Sequence, residues 1–167
     1  MNASCILSLV ILSGMKAKKL RSPFDLTICA VTDLETFLLT PVTHMLSIWD
    51  TDSRDSTETI RFAKLCRPEL EVLECQFDDP LGYSGSGKVA TAKDIRKILQ
   101  FVKPCGEHQR LLVHHRAGVA RSPAVAYAAL CQAVGSGGEY TCLRHIFELR
   151  HIAEPDREIN RIADRLL

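Results

Sequence analysis

Four short apolar segments divide the chain and predict β-strands. They span residues 24–31, 42–48, 70–77 and 111–114; the first is rich in strand-forming side chains, and the third alternates between apolar and polar residues. The polar stretch after the second segment, WDTDSRDSTET, and the stretch after the third, DDPLGYSGSGK, predict loops. The fourth segment is short and uniformly apolar before its histidines, which is typical of a buried strand.

Apolar residues at helical spacing predict helices between and after these strands. Thr32, with Glu35 three residues later, predicts a capping box at the start of a short helix. Longer helices are predicted over 89–102, from the turn that holds Pro123 to about Val134, over 139–152, and after Pro155. Strands that alternate with helices indicate an α/β domain, with a mainly parallel sheet of four to five strands flanked by helices.

Composition and charge limit the possible functions. The chain has 167 residues, enough for one domain, which we place at 23–167 after an N-terminal extension at 1–22. The formal net charge of +1 gives no reason to expect nucleic acid or membrane as a partner, so any anion site must be local. The seven cysteines include no C-x-x-C pair or zinc-finger spacing, and we expect no metal or cofactor.

The N-terminal extension leaves alternatives open. Residues 5–12, CILSLVIL, are apolar but too few to span a bilayer, and the basic residues follow them. A second methionine, Met15, is a natural start for the domain, so the first residues are either a flexible or mis-assigned extension or a signal or anchor. Scattered cysteines fit a reducing compartment, and we expect a cytoplasmic location.

Two glycine-bearing segments are candidates for binding phosphate. The first, Gly82–Lys88, fits the pattern G-x-x-x-x-G-K of nucleotide-binding loops, but Val89 stands where the Mg²⁺-binding Ser or Thr is needed. A P-loop-like nucleotide binder therefore remains an alternative. The second, residues 114–122, turns from a buried strand into a helix, with Gly118 for the bend and Arg121 to bind phosphate oxygens.

The second segment resembles the signature H-C-x-x-G-x-x-R-[ST] of the cysteine-dependent protein tyrosine and dual-specificity phosphatases. His114, Gly118, Arg121 and Ser122 match it, and His115 stands at the position of the nucleophilic cysteine. The resemblance, which covers about 24–167, implies a structural role for His114, with its ring bonded to backbone under the loop. It also implies that phosphate is bound by a run of loop residues, namely Arg116, Ala117, Gly118, Val119, Ala120 and Arg121.

In these phosphatases an aspartate on an earlier loop is the general acid. Asp79 lies 36 residues before His115 and is the favoured counterpart, with Asp78 as the alternative. The counterpart of Ser122 helps the thiolate to leave. The substrate, the partner and the oligomeric state are left open.

Histidine at position 115 changes the expected chemistry. The loop, the helix dipole and Arg121 favour negative charge there, so a thiolate would be stabilised but an imidazole should stay neutral. The ring is also bulkier than a thiol, and we expect it to fill the phosphate's space or to swing out of the pocket. The sequence thus predicts a phosphatase-like protein that binds phosphate, a phosphorylated protein or a small phosphoester with little or no hydrolysis. An active phosphatase that uses His115 or another nucleophile is the alternative.

Overall fold

The central feature of the fold is a four-stranded parallel sheet. A computed structural model describes residues 20–79 and 87–167. Within these ranges the strands are β1 (Asp25–Ala30), β2 (His44–Trp49), β3 (Glu71–Gln76) and β4 (Arg110–His115), in the order β1-β4-β2-β3. All three pairings are parallel, which confirms the predicted sheet. Strand β4 is interior, so its carboxyl end opens at the middle of the sheet.

Helices cover both faces of the sheet. The described helices are α1 (Leu34–Leu38), α2 (Ser56–Cys66), α3 (Ala92–Val102), α4 (Arg121–Val134), α5 (Glu139–Leu149) and α6 (Arg157–Leu166). Because side chains alternate along a strand, Leu111 and Val113 of β4 pack into the core formed with α3–α6, whereas Leu112 packs with α1 and α2. No helix in the described ranges is long and apolar enough to cross a membrane. The N-terminal segment 5–12 lies outside them.

The structure corrects two local predictions. Helix α2 was not predicted, because it is mostly polar and buries only Ser56 and Ala63. The expected capping box at Thr32 is absent: a 3-10 turn at Val31–Asp33 intervenes, and α1 begins after Asp33 without a side-chain cap. A capping box is found instead at the start of α3, where Thr91 and Asp94 bond each other's backbone amides.

Helix α4 carries the site and is the most deeply buried of the described helices. All eleven residues from Arg121 to Cys131 are buried, including the polar Arg121 and Ser122. The helix packs on β4 and contacts α3, α5 and α6. Its amino end is therefore held in place by the core, directly after the carboxyl end of the interior strand β4.

Candidate functional site

The loop between β4 and α4, residues 116–120, turns its carbonyl oxygens outward. Each carbonyl accepts a hydrogen bond from outside the loop: from the amides of Val31, Glu154 and Asp156, and from the Arg150 guanidinium. The amides of residues 117–120 donate to no acceptor in the described parts of the chain. A row of amides left free on the inner side of such a turn, ahead of a helix N-terminus, forms an anion-binding concavity.

Gly118 is required by the shape of this loop. Its φ is +69°, a conformation that residues with a Cβ rarely adopt. A Cβ here would lie 2.7 Å from the amide nitrogen of Ala30 and 2.8 Å from the carbonyl carbon of Cys29. The loop thus passes directly against the end of β1, and only glycine fits.

Arg150 holds the outer side of the loop, a role that the sequence did not indicate. Its Nε donates to the carbonyl of Gly118 at 2.7 Å, and its Nη1 lies 3.9 Å from Asp33 Oδ2. Arg150 follows α5, 32 residues after Gly118, so no local pattern connects the two. Through Arg150 the loop is linked to the end of α5 and to the 3-10 turn that follows β1.

Arg121 is buried and oriented by an ion pair. Its Nη1 lies 2.7 Å from Asp50 Oδ1 and donates to the carbonyl oxygen of Phe77 at 2.8 Å. Its Nε–H is buried without a hydrogen-bond partner in the described structure. Asp50, in the segment predicted only as a loop, is therefore a site residue that sequence reasoning missed.

His115 does not swing out of the pocket, as one of the sequence-based expectations allowed. It is 2% exposed, and its Nδ1 lies 2.8 Å from Ser122 Oγ and 3.2 Å from the Ser122 amide nitrogen, which donates to it. Ser122 is the second residue of α4, and residue 120, at its N-cap, makes no side-chain cap. The imidazole thus satisfies an amide that the helix would otherwise leave without an acceptor.

The environment keeps the His115 ring neutral. Burial lowers its pKa to about 3, and the nearby Arg121 and Arg150 guanidinium groups and the neighbouring His114 ring act in the same direction. This agrees in direction with the neutral imidazole predicted from the loop's field.

His114 is enclosed beneath the loop, but not in the expected way. It is completely buried and meets Trp49 edge-on, with ring centroids 5.7 Å apart. The expected hydrogen bond to backbone is absent, because neither ring nitrogen has a partner among the described residues. Burial lowers its pKa to about 4, so this ring is also neutral near pH 7.

The two adjacent aspartates differ sharply in their surroundings. Asp78 is buried and accepts hydrogen bonds from the amide and hydroxyl of Thr51 and from the amide of Lys88. Burial alone would raise the pKa of Asp78, but these bonds outweigh it and lower the pKa below its ordinary value. Asp79 is partly exposed. The geometry thus makes Asp78 a fixed, ionised anchor.

The other glycine segment falls mostly outside the described residues, which resume at Gly87. The Lys88 carbonyl accepts from the Asp78 amide at 2.8 Å, and the Lys88 amide donates to the Asp78 carboxylate at 3.0 Å. In the described ranges there is no group of three or more His, Cys, Asp or Glu residues that could hold a metal ion.

Comparison with known proteins identifies the fold. No family model and no curated relative matches the chain. Among solved structures, PTPMT1 in complex with PI(5)P is 17% identical over 84% of this chain and 88% of its own, with a TM-score of 0.58. The human tyrosine phosphatase-like serine/threonine/tyrosine-interacting protein is 14% identical over 84% and 89%, with a TM-score of 0.61. DUSP15 is 20% identical over 90% and 85%, with a TM-score of 0.55.

These neighbours are dual-specificity and tyrosine phosphatases or are named after them, and at such identities the likeness establishes the fold alone. The chain has the α/β fold of the tyrosine and dual-specificity phosphatases.

Proposed function

We propose that this protein binds phosphate, as the free anion or as the phosphoryl group of a partner protein or small phosphoester, at residues 115–121 and with little or no hydrolysis. The observation that carries the proposal is the loop at 116–120, whose carbonyls are all bonded outward while the amides of 117–120 have no acceptor in the described structure. An oxyanion inside the loop would satisfy these amides.

Arg121 supports the same ligand. A buried guanidinium N–H without an acceptor is costly, and a phosphate oxygen would supply the missing partner at Nε. Both Asp50 and the Phe77 carbonyl bond Nη1 of Arg121. The Nε side of the guanidinium group is therefore left to bind the anion. We assign Asp50 the role of orienting Arg121.

Weak or absent turnover follows from the state of His115. A nucleophile needs a free lone pair, and the only in-plane lone pair of a neutral imidazole is on its unprotonated nitrogen. At His115 that nitrogen is Nδ1, which accepts hydrogen bonds from Ser122. Ser122 would assist a thiolate at this position, but here it occupies the atom that would have to attack phosphorus.

The fold neighbours and the cysteines add context. PTPMT1 was solved with PI(5)P, and the human neighbour is named as an interacting protein, so phosphorylated ligands and protein partners both occur on this fold. The cysteines of the described residues are all free thiols, which supports a cytoplasmic location. We assign Asp79 as the counterpart of the general acid, because Asp78 is committed to Thr51 and Lys88.

Binding of inorganic phosphate, vanadate and phosphotyrosine, measured by calorimetry, tests the proposal. Arg121→Ala should weaken phosphate binding by at least about thirtyfold, since losing one partner of a buried charged contact costs about 2–5 kcal/mol. Arg96→Ala, an exposed arginine on α3, is the matched control and should bind as the parent does. If none of the three anions binds the parent protein, the proposed function is wrong. Aryl-phosphate turnover that depends on His115 would favour an active phosphatase instead.

A further inference from the structure

The contacts of His115 determine which of its nitrogens carries the proton. The Ser122 amide points at Nδ1 from 3.2 Å, and a backbone N–H can only donate. Nδ1 must therefore be the acceptor, and the Ser122 hydroxyl, 2.8 Å from the same atom, donates to it as well. In the neutral ring the single proton is then on Nε2.

The protonated nitrogen has no acceptor within the described protein. The ring lies between the end of β4 and the start of α4, where residues 116–120 wrap around the amino end of the helix. The described charged or titratable groups that act on it are Arg121, His114 and Arg150, of which none is an acid. The Asp50 carboxylate is paired with Arg121. Nε2–H is therefore a donor without an acceptor among the described residues, on a ring whose Nδ1 is fixed at the first turn of α4.

We propose that His115 is a ligand of the bound anion, donating a hydrogen bond from Nε2–H to a phosphate oxygen while Ser122 holds Nδ1. This rests on the proposed function and assigns the residue at the nucleophile position a binding role. The ring adds one donor to those of the loop amides and Arg121. At the position of the nucleophile, the chain thus has a group that binds the same anion instead of reacting with it.

Replacing a thiolate by a neutral donor also changes the charge that the ligand meets. A thiolate at position 115 would repel a phosphate dianion, whereas a neutral imidazole N–H attracts it. The parent protein should therefore bind inorganic phosphate more tightly than a His115→Cys variant, by about tenfold or more at a pH where the thiol is ionised. The preference should shrink when the thiol is protonated at lower pH.

Nuclear magnetic resonance of the unmodified full chain, labelled with ¹⁵N at histidine, tests the tautomer and the contact directly. At pH 7 we expect His115 Nδ1 to resonate as an unprotonated nitrogen and Nε2 as a protonated one. Saturation with inorganic phosphate should shift the Nε2 and Nε2–H resonances and leave the proton on Nε2. A proton on Nδ1, or a phosphate-saturated protein with unchanged Nε2 resonances, would overturn the proposal.

Two variants measure how much the Nε2–H donor contributes to phosphate affinity. His115→Gln keeps an N–H donor near Nε2, and His115→Leu removes it at similar volume. Calorimetry with inorganic phosphate should give a loss of about tenfold for the leucine variant, as expected for one hydrogen bond to a charged group, and of less than about threefold for glutamine.

The outcomes separate the two proposals. Parent binding that is lost in Arg121→Ala but equal in the leucine and glutamine variants would leave the proposed function intact and refute the role of His115. No binding to the parent protein would refute both. If the leucine variant does not fold, the resonances of the unmodified chain decide the question.

Discussion

The loop at 116–120 and the aspartate segment at 77–79 are both anchored by hydrogen bonds to distant parts of the chain, but they differ in the roles left to their key side chains. The loop is tied to β1, to Arg150 and to the segment before α6, and Asp78 is tied to Thr51 and Lys88. Arg121 joins the two regions by donating to the Phe77 carbonyl. In the aspartate segment one carboxylate anchors and its neighbour, Asp79, is partly exposed. In the loop, the residue at the reactive position is itself an anchor.

This difference suggests that binding and turnover are separable on this fold. The proposed anion-binding part is made mainly by backbone geometry and one arginine, and His115 adds a single hydrogen-bond donor to it. The proposed general acid, Asp79, is next to a carboxylate that holds the backbone. Under the proposed function, the side chain at position 115 would decide whether the site hydrolyses phosphate esters or only binds them.

The largest expected effect comes from restoring the nucleophile. His115→Cys should raise aryl-phosphate hydrolysis by about 10³-fold or more, the scale on which a nucleophile contributes. In that background Asp79→Ala should reduce kcat by about 10²–10⁴-fold, as removal of a general acid does. Steady-state assays across pH, with His115→Ser as the matched control, measure both changes. An inactive cysteine variant that folds and binds phosphate would show that the aspartate region has also lost its function.

The next effect sharpens the contrast between the two aspartates. Asp78→Ala should lower the free energy of unfolding by about 2–4 kcal/mol, because it removes a buried carboxylate that accepts from the Thr51 hydroxyl and from the amides of Thr51 and Lys88. Asp79→Ala should lower it by less than Asp78→Ala does, because Asp79 is partly exposed whereas Asp78 is buried. Urea denaturation at pH 7 measures both. Equal losses in the two variants would remove the distinction between anchor and acid.

The pH dependence of stability offers a finer test of the buried histidines. Burial lowers the pKa of His114 from 6.5 to about 4. Between pH 4 and pH 6.5, His114 is therefore protonated in the unfolded chain but neutral in the folded one. Stability should therefore be complete above pH 6.5 and fall by about 1.4 kcal/mol per pH unit as the pH drops toward 4. His115 adds a loss of the same sign. Denaturation of the His114→Leu variant should show a shallower slope, and an unchanged slope would mean that His114 is not buried in its neutral form.

The sequence predicted the strands and the loop because these depend on neighbours along the chain. Leu111, Leu112 and Val113 are apolar in a row, and Gly118 and Arg121 stand at fixed offsets within one turn. A mainly parallel sheet of four to five strands was predicted because strands alternate with helices along the chain, and the described sheet has four parallel strands. Helix α2 was not predicted because its apolar residues do not form a regular buried face. Phe62 and Leu65 are instead substantially exposed.

The missed site residues act across long separations. Asp50 meets Arg121 and Arg150 meets Gly118 only after folding has brought distant segments together, and no local pattern marks either one. The orientation of His115 was likewise beyond the sequence, which offered a ring in the phosphate's space or outside the pocket. Its bonds to Ser122 depend on where the first turn of α4 begins.

The close passage of Gly118 against Ala30 and Cys29 has a consequence for affinity. The loop packs against β1 and is hydrogen-bonded by Arg150, so it should lose little conformational entropy when an anion binds. Ordering costs, which weaken many flexible receptors, should then be small, and the measured affinity should reflect the contacts themselves. The proposed pocket would then be formed before a ligand arrives.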